Sequence, residues 1–219
     1  MLFAQKVRVP FVGCPSTGQL DDIEAPQGTA KRLRIGPSAA RRLAYYQGDV
    51  VSGILAPRGW QCHGNNGSAG EELLVSPTPA SSNGNGAGVM LDHISAAAFG
   101  RFAVADVIAR VFPSKRAFVQ AMIDGGDVPP NGFTFGPYPT DKIVVQTNQL
   151  VQFETPPRAA GLGSGGYFTP NDDPIDGVAI LEGRNPDLLI LRVRLPRELR
   201  DLAPVIIRDL LIRQRGDTR

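Results

Sequence analysis

Cysteine, histidine, tryptophan and lysine are all scarce in this chain, and each scarcity narrows the field. Among 219 residues there are two Cys, two His, one Trp and three Met. Two histidines and two adjacent-type ligands (Cys62, His63) offer no C-x-x-C or H-x-x-x-H pair, so a zinc site is not indicated. Charge of one sign is also missing: 23 basic residues face 21 acidic ones, a formal net charge of +2. That balance supplies no bulk field for holding nucleic acid, and no nucleic-acid partner is expected. No apolar run reaches the ~18–20 residues a spanning helix needs, so no membrane span is expected. The basic residues are almost all Arg, with Lys only at 6, 31, 115 and 142, the bias of a GC-rich bacterial coding sequence.

What the chain has in quantity is Gly (25) and Pro (19), together about a fifth of its length and well above the usual ~12%. A hydrophobic share of 42% is nonetheless enough for a core, and the length suits one domain over residues 1–219. Cys14 and Cys62 lie in turn-like surroundings at strand ends, and an even pair of this kind suits one disulfide in an oxidising compartment. Closing about 48 residues stabilises a fold by roughly 4 kcal/mol in the chain-entropy picture. Met1-Leu2-Phe3-Ala4-Gln5 reads as the last residues of a signal peptide behind a new start Met, or as an expression remnant. The basic and apolar regions of a full signal are absent from it, which leaves a cytosolic protein as the alternative. The expected location is periplasmic or secreted.

Val7, Val9 and Phe11 alternate with polar residues as in a half-buried strand, with Pro10 marking an edge. A short strand is expected near 32–35, a helix over Ser38–Tyr46 closed by Gly48, and strands over 50–56, 72–76 and 89–94. Phe99, Phe102, Val104, Val107, Ile108 and Val111 fall at helical spacing after Ser95, and a second helix runs over 115–124. Residues 143–146 and 150–155 flank a hairpin turn, 177–181 and 188–195 are apolar strands, and a helix ends the chain. Strands follow one another without regular crossover helices. The pattern is α+β: a mainly antiparallel sheet with helices packed on one face, and long Gly/Pro-rich loops. Residues 77–88 and 156–177 are the expected mobile loops.

Candidate chemistry is thin. Ser68 stands among glycines after a strand, close to the nucleophile-elbow pattern, but Asn66 occupies the place where that pattern has Gly. His63 or His93 would have to serve as its base. That combination gives an alternative reading, a serine hydrolase for small esters or lactones, so whether the chain is an enzyme stays open. Asp172, Asp173 and Asp176 approach a calcium loop, yet Pro174 stands at a ligand position; a Ca²⁺-dependent envelope protein is the second alternative. Gly161-Leu162-Gly163-Ser164-Gly165-Gly166 matches a dinucleotide motif in letters only, because prolines flank it and no helix follows. Trp60, Phe133, Phe135 and Tyr138 could line a ligand groove with the 156–177 loop. From Arg192 to Arg219 eight Arg face four acids, which fits a solvated helix face or a contact for phosphate or lipid head groups.

Four segments, Ala56–Cys62, Gly136–Asp141, Gly177–Leu181 and Pro186–Pro196, resemble an uncharacterised group of exported bacterial proteins. The resemblance implies a bacterial protein made with a signal, and it assigns no activity and no site residue. The leading expectation is therefore an extracytoplasmic, non-catalytic binding domain of the cell envelope, taking a small-molecule or envelope ligand and needing no cofactor.

Overall fold

The computed structural model describes residues 6–49, 52–79, 86–97, 99–183 and 185–216. The leader-like residues 1–5 and the centre of the 77–88 loop lie outside them. Pro10, with no N–H to give a ladder, splits the opening strand into β1 (Val7–Val9) and β2 (Phe11–Gly13). Then come β3 (Ser16–Thr17), β4 (Asp22–Ile23), β5 (Lys31–Leu33), α1 (Pro37–Arg42), β6 (Leu43–Gln47) and β7 (Ile54–Pro57). A run of three strands follows, β8 (Gln61–Gly67), β9 (Gly70–Ser76) and β10 (Gly88–Ile94), before the helices α2 (Gly100–Val111) and α3 (Arg116–Asp124). The chain closes with β11 (Lys142–Gln146), β12 (Leu150–Thr155), β13 (Ile175–Glu182), β14 (Asp187–Arg194) and α4 (Ala203–Gly216).

Nine strands form one sheet in the order β11-β12-β13-β14-β10-β9-β8-β3-β4, antiparallel except where β3 runs parallel to β8. The expected α+β class with a mainly antiparallel sheet is what the chain adopts. Its helices are shared between the two faces. On β14, Leu189, Leu191 and Val193 join one core with Leu202, Ile206, Ile207 and Leu210 at the C-terminal end. The alternate residues Leu188 and Ile190 join another with Val104, Ile108 and Val119 from α2 and α3. Successive strand residues point to opposite faces, so a strand apolar at every position is sandwiched. Two smaller sheets, β2-β6-β7 and the β1-β5 ribbon, pack on the α4 side.

Three local expectations give way. The helix over Ser38–Tyr46 stops at Arg42, and Leu43–Gln47 becomes β6. The reason is tertiary: Leu43 to Tyr46 are all buried, between β2 (Phe11 opposite Tyr45) and β7 (Leu43 opposite Pro57). The Gly- and Asn-rich stretch after Trp60 is strand β8, because β9 offers it a full partner from Gln61–Ser76 to Gly67–Gly70. Cys62 therefore stands near the start of a strand. The helix expected from Ser95 begins at Gly100, since Asp187 Oδ1 takes the Ala96 N–H at 2.7 Å and holds this turn outside the helix.

Cys14 and Cys62 form the expected disulfide, with Cα atoms 5.3 Å apart. It ties the connection between β2 and β3 to β8 and is itself part of the α4-side core. Among the described residues, no helix is long and apolar enough to cross a membrane.

Candidate functional site

The structure scatters the residues that sequence reasoning singled out. Ser68 sits in the turn joining β8 to β9. His63 lies back along β8, and four residue rises of about 3.3 Å put it about 13 Å from that turn. Its Nε2 is 3.0 Å from Thr17 Oγ1. His93 sits on β10 opposite Glu71, on the other face of the sheet from His63. Its Nε2 lies 3.5 Å from Glu182 and its Nδ1 4.0 Å from Glu71. The Glu182 hydrogen bond raises the His93 pKa against the opposing effect of burial. Neither imidazole is bonded to Ser68, so no serine–histidine pair is assembled.

The calcium alternative loses its ligands. Arg158 holds Asp172 at 2.5 Å and keeps its carboxyl below the usual range, and Arg200 holds Asp173. Asp176 is on β13, half-buried, its carboxyl pushed up by burial. Among the described residues no three His, Cys, Asp or Glu are placed to share a metal ion. The aromatic groove does not close either. Trp60 packs on the α4-side core, whereas Phe133, Phe135 and Tyr138 pack on the α2–α3 side. Arg116 lies 4.0 Å from the Phe135 ring centre and Arg110 the same distance from that of Tyr138, so both rings are already covered by guanidinium groups.

One charged row crosses the sheet on the α2 side. Glu72 on β9 stands directly opposite Asp92 on β10, and Asp92 is bound by Arg192 of β14. Arg192 also donates Nε–H to the Leu162 carbonyl at 3.2 Å. Burial and the neighbouring Asp92 charge push the Glu72 carboxyl up to about 7. Burial pushes Asp92 up as well, and Arg192 draws it back. Two carboxylates and one guanidinium, with one shared proton, make this row electrically closed.

A second charged region is open. The α4 residues Val205, Arg208, Asp209, Ile212 and Arg213 follow i, i+3, i+4, i+7, i+8 spacing and therefore form one stripe. Ala203, Ile206, Ile207 and Leu210, buried beside that stripe, fix the rotation of the helix. The stripe faces the β1–β5 ribbon across a groove of about 640 Å³. Lys6, Lys31, Arg32, Arg34 and Arg213 line it, and Asp209 is the only carboxylate among its described lining. That carboxylate is spoken for: Arg213 Nε lies 3.0 Å from Asp209 Oδ2, and Asp209 is buried. Burial pushes the Asp209 carboxyl up and Arg213 pulls it down.

Tyr45 of β6 forms the floor. Its ring has Lys31 Nζ and the Arg213 guanidinium each 5.4 Å from its centre, and its hydroxyl accepts from Arg213 Nη1 at 3.4 Å. Burial raises the phenol above its usual pKa, so it stays neutral there. Gly53 makes this floor possible, because a Cβ at that position would fall 2.4 Å from the Tyr45 ring. Lys6, Lys31, Arg32, Arg34 and Arg208 pair with no carboxylate among the described residues. Like charges gathered over a low-dielectric wall focus their field into the groove, where it attracts anions.

The Arg excess after Arg192 was visible in the sequence and already fitted a phosphate contact. Lys6 and the run Lys31-Arg32-Leu33-Arg34 carried no such signal, since only folding brings them across from α4. Comparisons with protein-family models, curated proteins and solved structures gave no match.

Proposed function

We propose that this chain is a non-catalytic binding domain that works outside the cytoplasm and takes an anionic ligand in the groove between α4 and the β1–β5 ribbon. The observation that carries the reading is the charge of that groove: five cations line it against one carboxylate, which Arg213 already occupies. In a chain with a net charge of only +2, such a concentration is local and costs self-repulsion that an anion would relieve. The formed Cys14–Cys62 bond supports a periplasmic or secreted location, where disulfides persist. An envelope ligand bearing phosphate or carboxylate has the right chemistry, since guanidinium forks match both oxygen pairs.

Calorimetric titration with glycerol phosphate at low ionic strength tests this. Binding is expected for wild type, weakening as salt rises, with neutral glycerol inert. The double variant Arg32→Ala/Arg34→Ala is expected to bind at least tenfold more weakly while unfolding at the wild-type temperature. Silence from glycerol phosphate at low salt, with a folded sample, ends the anion reading. For the location, fractionation of a producing bacterium expressing the full precursor should recover the disulfide form outside the cytoplasm.

A further inference from the structure

We infer that the anion is the head group of a single-chain amphiphile, whose acyl tail lies in an apolar cleft adjoining the cationic groove. This inference rests on the anion reading and names the ligand class. The cleft has a volume of about 240 Å³ and is lined by Val7, Ile35, Gly36, Pro37 and Val205. Arg34, Asp209 and Ile212 line both the cleft and the groove, so the two adjoin. The two ends of this adjoining pair differ in charge. Lys6, Lys31 and Arg32 line the groove alone, while Val7, Ile35, Pro37 and Val205 line the cleft alone, together with Arg208.

Ile212 stands at the junction and is 44% exposed, one of few large aliphatic side chains left in water among the described residues. On α4 it belongs to the same stripe as Arg208 and Asp209, outside the hydrophobic clusters. A ligand that is charged throughout would leave Ile212 and the cleft wet. A neutral apolar ligand would leave the cations unused. A phosphate or carboxylate joined to a short alkyl chain satisfies both ends at once. At roughly 30 Å³ for a water-sized group, the cleft holds about eight such groups, which suits a medium-length chain. Each methylene moved from water into it is worth about 0.8 kcal/mol, or about fourfold in affinity.

Gly36 provides a clean way to close the cleft. It has extended backbone (φ −67°, ψ 148°), and a Cβ added there meets no heavy atom within 4 Å. Gly36→Leu therefore adds a side chain at the tail end, with no heavy atom within 4 Å of its Cβ. The experiment is calorimetric titration of wild type and Gly36→Leu with three probes: glycerol phosphate, octanoyl glycerol phosphate below its micelle-forming concentration, and octyl glucoside. For wild type the octanoyl ester is expected to bind at least tenfold more tightly than glycerol phosphate, and octyl glucoside to bind far more weakly than the ester. In Gly36→Leu the tail advantage is expected to vanish while glycerol phosphate binds as to wild type.

Equal affinity of wild type for glycerol phosphate and its octanoyl ester overturns the tail site and leaves a free-anion site standing. An octanoyl advantage that survives in Gly36→Leu, or octyl glucoside binding as tightly as the ester, also overturns it. If no phosphate probe binds at all, the anion reading fails first and the tail site fails with it. Unchanged unfolding of Gly36→Leu confirms that a lost tail advantage reflects a filled cleft and not a damaged fold.

Discussion

Arg192 and Arg34 carry the same guanidinium and meet opposite surroundings. Arg192 lies in the middle of the large sheet, bound to Asp92 with Glu72 beside it, and spends a further N–H on the Leu162 carbonyl. Arg34 follows β5, is exposed, and finds no carboxylate among the described residues. A buried charge must be paired, because leaving it alone costs several kcal/mol. A surface charge has no such requirement, so an unpaired cluster of cations persists only if water, salt or a ligand screens it. The closed row is thus a structural device, and the open groove is the place where the molecule has charge to offer.

Breaking the closed row gives the largest expected effect. Asp92→Ala leaves Arg192 buried without its partner and should lower the unfolding free energy by about 3–5 kcal/mol in urea titrations. A loss below about 1 kcal/mol would mean that water reaches Arg192 and that the row is not closed. Removing the disulfide with Cys14→Ala/Cys62→Ala should lower stability by about 4 kcal/mol on the chain-entropy estimate, read in the same way without reductant.

The pH dependence sharpens the contrast further. Glu72 in the folded protein titrates near 7, above its ordinary 4.5, so between these values the folded state holds a proton that the unfolded state has released. Stability therefore falls as pH rises from about 4.5 through about 7, and the loss is complete above that. Glu72→Gln, which mimics the protonated form, should flatten this slope and stabilise the protein at pH about 8 by about 1–3 kcal/mol, since each pKa unit is worth about 1.4 kcal/mol. His93, raised by Glu182, also loses its contribution as pH rises through its elevated pKa, and a His93→Gln background separates the two. The smallest effect belongs to the open groove. Arg32→Ala and Arg34→Ala should each change stability by less than about 0.5 kcal/mol in the free protein, with any change at low salt being a gain.

Much of the fold was legible because it is local. The hairpin at 142–155, strands β10, β13 and β14, and the apolar spacing of α2 follow from side-chain period and turn residues alone. Leu43–Gln47 was not, since its letters suit a helix and only burial between β2 and β7 makes it a strand. β8 was hidden for the converse reason: Gly64, Asn65, Asn66 and Gly67 have poor strand propensity, and the β9 ladder overrides it.

The candidate site was legible only in part. The Arg-rich C-terminal segment signalled cations on a helix, but Ser68, His63 and His93 drew attention as a catalytic set that the sheet holds apart. His63 and Ser68, five residues apart in sequence, are separated by the rise of β8. Letters far apart, such as Lys31 and Arg213, are brought to one ring.

By itself the sequence determined the α+β class, two cysteines suited to one disulfide, a C-terminal helix and the absence of a strong overall charge. Each of these depends on composition or on a period of two or 3.6 residues, which the chain carries wherever it goes. Tertiary structure decided which charges are cancelled and which are left open. That choice depends on distances between residues more than a hundred positions apart, and on the dielectric around them, and neither quantity exists before the sheet is formed.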